Sequence, residues 1–320
     1  MVVIIPKEAY LTIVAACVRF ANVKIRKEDW IEVHGVFLGK NVGKKNKKDV
    51  VISAAFPIMH EVFDPEQVVD RYEFSEEDYV NLALIEEKGF ETDEFVVGWW
   101  HSHPGFKVML SGLGDRKTTL YWQSINPLAI ALVFNPDRLT RQIERPFKKG
   151  DPTIQLKNDP GFKIFRLDDS NDSKSNFHEV EFRIEGYESM EQLITSTQKF
   201  HIDVTNFFPA ENVPKTYERF VNEQITKLNS LLLGTEEYLT TLVHKGQSER
   251  IPEVLTNQTE DIRKFVATTF IKIETIKEFL NYLEYKEKVF IIPQVDAVLN
   301  KWNESISSLD KKLKDLSKKF

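Results

Sequence analysis

A single cysteine, Cys17, occurs among the 320 residues. That excludes an intramolecular disulfide and argues against a closed, thiolate-rich structural zinc site. Cys17 falls in an apolar helical pattern with Ile13, Val14 and Phe20, the setting of a buried structural thiol, and the expected compartment is reducing and intracellular. No apolar run approaches the roughly 20 residues of a helical membrane span. The N-terminal MVVIIPKEAY has only a few apolar residues before Pro6 and no cleavage-site pattern, so neither an anchor nor a signal peptide is expected. Positive charge is not in excess either: 43 Lys and Arg face 49 Asp and Glu, for a net −6. That balance provides no global field for nucleic acid or an anionic membrane surface, and a cytoplasmic protein without nucleic-acid or membrane partners is expected. What is present is globular in character. At 42% hydrophobic and 12% aromatic the chain can fill a sizeable core, and its length suits two domains, or one with a large extension.

Periodicity divides the chain in two. Val2 to Ile5 reads as a strand stopped by Pro6, and an amphipathic helix follows from Lys7 to about Asn22. Trp30 to Leu38 and Val50 to Phe56 read as a hairpin across GKNVGKKNKKD. Lysines 44, 45, 47 and 48 at its tip form either a basic contact patch or a solvated turn. Residues 57 to 73 are a long, apolar connection and a candidate substrate-holding insertion. A helix is expected from Ser75 to about Lys88, ended by Gly89; a strand from Glu94 to Trp100; a helix from Arg116 to Gln123; and a buried strand from Pro127 to Phe134. This alternation predicts an α/β domain with helices covering a sheet. A strand pair, Lys163 to Leu167 with His178 to Ile184, completes it.

Beyond residue 186 the pattern becomes helical: Glu188 to Lys199, then three long stretches after a break near Pro209 and Pro214. Their apolar residues step by four and three, as at Val221, Ile225, Leu228 and Leu232, at Ile262, Val266 and Ile273, and at Leu309, Leu313 and Leu316. Such helices either close on one another or leave a stripe for partner helices. The expected division is 1–186 for an α/β domain and 187–320 for a helical assembly region.

Chemistry concentrates in GWWHSHPGFKVMLSGLGD, Gly98 to Asp115. His101 and His103 alternate around Ser102, so at a strand end both rings share a side and Ser102 points away. Two imidazoles and a carboxylate with one position open make a catalytic zinc site, in which the metal would lower the pKa of a water toward about 7. Asp115 is either that third ligand or a plain helix N-cap. Glu32, inside the apolar run WIEVHGVFLG, is either the general base such a site needs or an exposed carboxylate on an edge strand. Ser111 is either an oxyanion donor or a capping serine. His34 reads as structural, His60, His178 and His201 as surface or structural, and His244 as a helix-end residue.

Glu32 in EVHGVFLG, VVGWWHSHPGFKVMLSG and the aspartate leading into DRKTTLYWQ together resemble the JAMM/MPN+ family of zinc isopeptidases, most of all its proteasome-lid deubiquitinase and signalosome deneddylase branches. The resemblance covers roughly residues 5 to 185. It implies an MPN domain with a helical extension, a single zinc ion held by His101, His103 and Asp115, Glu32 as general acid/base and Ser111 as oxyanion donor. It implies conjugates of ubiquitin or a ubiquitin-like protein as substrates, with a Gly-Gly tail threaded past the metal. MPN or helical-bundle subunits of a proteasome-like assembly are the implied partners. The family spaces its aspartate three residues after the serine; here Gly114 stands there and Asp115 follows, a one-residue insertion that Gly112 and Gly114 are expected to absorb as a bulge. The competing expectation is a catalytically silent MPN scaffold that organises partners through its helices.

Overall fold

A computed structural model describes residues 1–44, 47–60, 76–110, 112–138, 159–172, 174–207, 213–283 and 285–320. Ser111, Lys45, most of the 57–73 connection and the region around Pro209 therefore lie outside the described residues. Two compact units are present: Met1–Ala210 with Asn281–Glu287, and Glu211–Leu280 with Lys288–Phe320. No described helix is long and apolar enough to cross a membrane.

The first unit is built on β1 (Val2–Ile5), α1 (Lys7–Phe20), β2 (Val33–Lys44), β3 (Lys47–His60), α2 (Glu76–Glu91), β4 (Phe95–Ser102), α3 (Gly112–Ile125), β5 (Ile130–Phe134), β6 (Phe162–Leu167), β7 (Phe177–Glu179), β8 (Glu181–Ile184) and α4 (Met190–Phe207). Its eight strands form one mixed sheet in the order β7-β6-β5-β4-β2-β3-β1-β8. The expected α/β arrangement, a β-sheet flanked by helices and followed by a helical region, is what folds. Helices α2 and α3 cover one face, where Val36, Leu38, Ile58, Leu82, Ile85, Trp99, Trp122, Val133 and Phe165 form a buried cluster. Helix α1 packs on β3 and α4, and the Tyr10 hydroxyl hydrogen-bonds that of Thr197 on α4 at 3.0 Å.

Several boundaries differ from the sequence expectation for physical reasons. Helix α2 runs through Gly89 to Glu91. Gly89 is there for close approach: a Cβ would lie 2.7 Å from the Glu94 carbonyl oxygen and 2.8 Å from Leu38 Cδ1. The left-handed residue after the helix is Asp93, at φ 56°. Strand β4 reaches Ser102, so His101 lies within the strand rather than at or beyond its end. Helix α3 begins at Gly112, so Asp115 is in its first turn and is not an N-cap. Residues 178–184 are not one strand. The segment breaks at Val180, whose N–H donates to the Ile164 carbonyl; β7 pairs with β6, and β8 pairs in parallel with β1. One short stretch thus occupies both ends of the strand order, which curls the sheet back on itself. The Phe162 ring on β6 and the Phe182 ring on β8 lie 4.6 Å apart.

The second unit contains α5 (Val213–His244), α6 (Ile251–Phe279) and most of α7 (Tyr285–Lys319). Leu228, Leu232, Ile262, Leu309, Leu313 and Leu316 bury their side chains together, so the three heptad-like seams close on one another. Leu233, Tyr238, Phe270 and Ile271 remain exposed.

Candidate metal centre

The antiparallel pairing of β2 with β4 sets His34 opposite His101. The period-two alternation of β4 puts Trp99 and His101 on the face covered by α3 and sends Trp100 and Ser102 to the other. The next four residues make a tight turn. Pro104 supplies its fixed φ, Gly105 adopts φ +79°, and the Phe106 N–H donates to the His103 carbonyl at 3.1 Å, the signature of a type II turn. This turn brings the Lys107 carbonyl to His103, whose Nδ1 lies 2.8 Å from it. With Nδ1–H donating to that carbonyl, the Nε2 lone pair is left to face the site, the arrangement typical of metal-ligating histidines.

Across from the strand, the first turn of α3 presents Asp115. Gly112, at φ +54° and with open space where a Cβ would stand, supplies the left-handed residue at which the helix starts. Gly114 is not left-handed, so the expected two-glycine bulge reduces to one glycine and an earlier helix start. In this arrangement the Asp115 carboxylate faces both imidazoles. His101 Nε2 lies 2.9 Å from His103 Nε2, Asp115 Oδ1 is 3.4 Å from the former, and Oδ2 is 3.5 Å from the latter. Ligand atoms about 2.0–2.1 Å from a tetrahedral ion are separated by about 3.3 Å, so this donor set, two nitrogens and one carboxylate, fits a zinc-sized cation. All three residues are buried, and among the described residues they form the one histidine, cysteine and carboxylate cluster able to hold a metal ion.

The electrostatics agree with that geometry. Burial, the largest influence on Asp115, raises its pKa, but the hydrogen bonds and charges of His101 and His103 together hold it far below the usual carboxylate range. Burial also dominates at His101 and carries it below an ordinary histidine, against the pull of Asp115. At His103 burial again lowers, yet Asp115, the Lys107 carbonyl and the charge of Glu32 together outweigh it and the net shift is upward.

Glu32 sits just ahead of β2, half-buried. Its charge reaches His103, and the next residue is pinned there by the N–H of Val33 donating to Ser102 Oγ at 2.9 Å. Ser102 therefore does more than face away: it ties the segment carrying Glu32 to the strand that leads into both histidines. Ser111 lies outside the described residues. His34, read as structural, packs beside the cluster, its ring parallel to those of Trp99 and His101 (interplanar 4° and 7°). Only the cross-strand register shows this, and no local pattern in the sequence signals it. Of the remaining histidines, His201 is buried on α4 while His178 is exposed and paired with Asp168 at 2.6 Å.

Burial holds His34 down at about 3, with the charge of His101 a smaller contributor in the same direction. A histidine depressed in the folded state takes up its proton on unfolding below about 6.5. Stability from this site is therefore complete above about 6.5 and is lost as pH falls toward 3, at up to about 1.4 kcal/mol per pH unit. In protein kept free of metal by a chelator, His34→Met is expected to flatten the dependence of unfolding free energy on pH across that window. Urea titrations at several pH values check it; an unchanged slope contradicts it.

Comparison with known proteins points the same way. The model for the JAB1/Mov34/MPN/PAD-1 ubiquitin protease family matches residues 1–127. The chain is similar to COP9 signalosome complex subunit 5 of Debaryomyces hansenii, at 29% identity over 132 residues, 41% of this chain and 26% of that protein. It is similar to the ubiquitin carboxyl-terminal hydrolase RPN11 of Saccharomyces cerevisiae, at 46% over 44 residues, 14% of each chain. It is also similar to 26S proteasome non-ATPase regulatory subunit 14 of Drosophila melanogaster, at 40% over 55 residues, 17% of each chain. The matched stretches thus span about a quarter or less of these relatives. The matched stretch carries β1 to β4, helices α1 to α3 and the three converging side chains, and residues 1–127 of this chain are a JAB/MPN domain.

Proposed function

We propose that this protein is a zinc-dependent isopeptidase that removes ubiquitin or a ubiquitin-like modifier from protein conjugates. The observation that carries the reading is the convergence of His101, His103 and Asp115 on one buried point at zinc-like separations. Zinc held by His101, His103 and Asp115 would supply Lewis acidity toward the scissile carbonyl and an attacking water. The protein's own residues do the rest. His103 is oriented through Lys107, and Asp115 contributes the negative charge. Glu32, held beside His103, accepts a proton from the attacking water and delivers it to the departing lysine amine. Ser111 donates to the developing oxyanion. Residues 1–186 are read as the catalytic domain and 187–320 as the assembly region, working in a cytoplasmic, proteasome-lid-like complex with MPN or helical-bundle subunits.

The test is incubation of the purified full chain with lysine-linked ubiquitin and ubiquitin-like conjugates, with and without a zinc chelator. Chelator-sensitive cleavage restored by added zinc is the expected result. Stoichiometric zinc without cleavage of any conjugate, alone or with partner subunits, would establish the silent scaffold instead.

A further inference from the structure

His101 and His103 are secured differently. His103 has the usual arrangement, with its second ring nitrogen bonded to a backbone carbonyl. His101 Nδ1 is buried and has no hydrogen-bond partner among the described residues. A metal-binding histidine normally owes its ring orientation to that second bond, so the orientation of His101 calls for another source.

The Trp99 ring is stacked on it, 4.4 Å between centroids and 4° from parallel. That indole is itself tied down. Its Nε1–H donates to Thr119 Oγ1 at 3.2 Å, in a buried pairing. The Thr119 hydroxyl in turn donates to the Asp115 carbonyl at 2.7 Å. A hydroxyl has one proton to give and lone pairs to receive, so the two contacts are compatible and directional: indole to hydroxyl to the backbone of Asp115. A threonine hydroxyl bonded four residues back is commonplace in helices, and Thr12 and Thr197 do the same here. Thr119 is distinguished by the tryptophan donor that reaches it from the strand.

Building on the zinc reading, we infer that Trp99 and Thr119 are positioning residues: they form a strut between β4 and α3 that orients His101 by ring stacking and fixes its separation from Asp115. Neither side chain has a ligand atom in the cluster, and neither is a catalytic residue. Their effect falls on the distance between the two elements that carry the ligands.

Zinc affinity of the full chain, measured by competition with a chromophoric chelator, tests this directly. Thr119→Val and Trp99→Phe, which keep shape or ring and delete one end of the hydrogen bond, are each expected to weaken zinc binding by about tenfold or more. Thr119→Ser should restore wild-type affinity. The double variant should be no worse than the weaker single one, because both remove the same link. Melting of the metal-free variants separates a general loss of stability, and cobalt substituted for zinc reports altered ligand geometry in its visible spectrum. Wild-type zinc affinity in Thr119→Val and Trp99→Phe overturns the strut while leaving the zinc site standing. A wild-type chain that takes up no zinc overturns the zinc reading, and the strut with it.

Discussion

Asp115→Ala is expected to abolish stoichiometric zinc binding and, with it, the proposed conjugate cleavage. The carboxylate is the one anionic member of the cluster and is 2% exposed, so water cannot simply take its place with equal charge. Without it, a divalent ion would face two neutral imidazoles whose Nε2 atoms are 2.9 Å apart, with no compensating charge from the ligands. The loss should exceed the roughly 10–100-fold typical of deleting an outer hydrogen-bond partner, because a direct ligand is gone. The readout is metal content after dialysis, together with melting temperature. Wild-type protein should melt higher as zinc is added, since a ligand that binds only the folded state stabilises it, and the variant should not respond. Retention of one tightly held zinc by Asp115→Ala would remove Asp115 from the ligand set and point to its role as a helix-start carboxylate.

Glu32→Gln should do the opposite: keep the metal and lose the rate. The exchange preserves size and one acceptor oxygen but removes a group able to shuttle a proton, an effect typically about 10²–10⁴-fold. The expectation depends on where Glu32 sits. It precedes Val33, which Ser102 holds from between the two histidines, and the register that sets His34 opposite His101 carries the position two residues earlier toward His103, whose pKa its charge raises. Cleavage rates normalised to bound zinc decide the matter. A variant within a few-fold of wild type would make Glu32 an ordinary half-exposed carboxylate and transfer the search for a base elsewhere.

These residues are legible in the sequence to different degrees. His101 and His103 announce themselves, because an i, i+2 pair following an apolar run already fixes a common side. Val2 to Ile5 before Pro6 is equally plain and forms as expected. Asp115 is identifiable as a candidate ligand but not as a first-turn residue, since the helix start depends on a left-handed Gly112 that composition alone does not require. Trp99, Thr119 and His34 are invisible as a group. Tryptophan in an apolar strand and threonine in a helix are ordinary singly, and their meeting depends on packing between elements 20 residues apart. The split at Val180 is hidden for a similar reason: which partner an edge strand takes is decided by distant chain, not by its own alternation.

The break at Val180 also bears on the order in which the domain assembles. Strand β1 lies between β3 and β8, with Val2 registered against Glu181 and Ile5 against Ile184. Residues 2–5 leave the ribosome long before residues 181–184, and must wait for them before both edges of β1 are paired. Contacts so remote in sequence make folding slow, since the loop must be closed before the pairing offsets its entropy. During synthesis the apolar β1 therefore keeps one edge unpaired until the segment after Val180 arrives to pair with it.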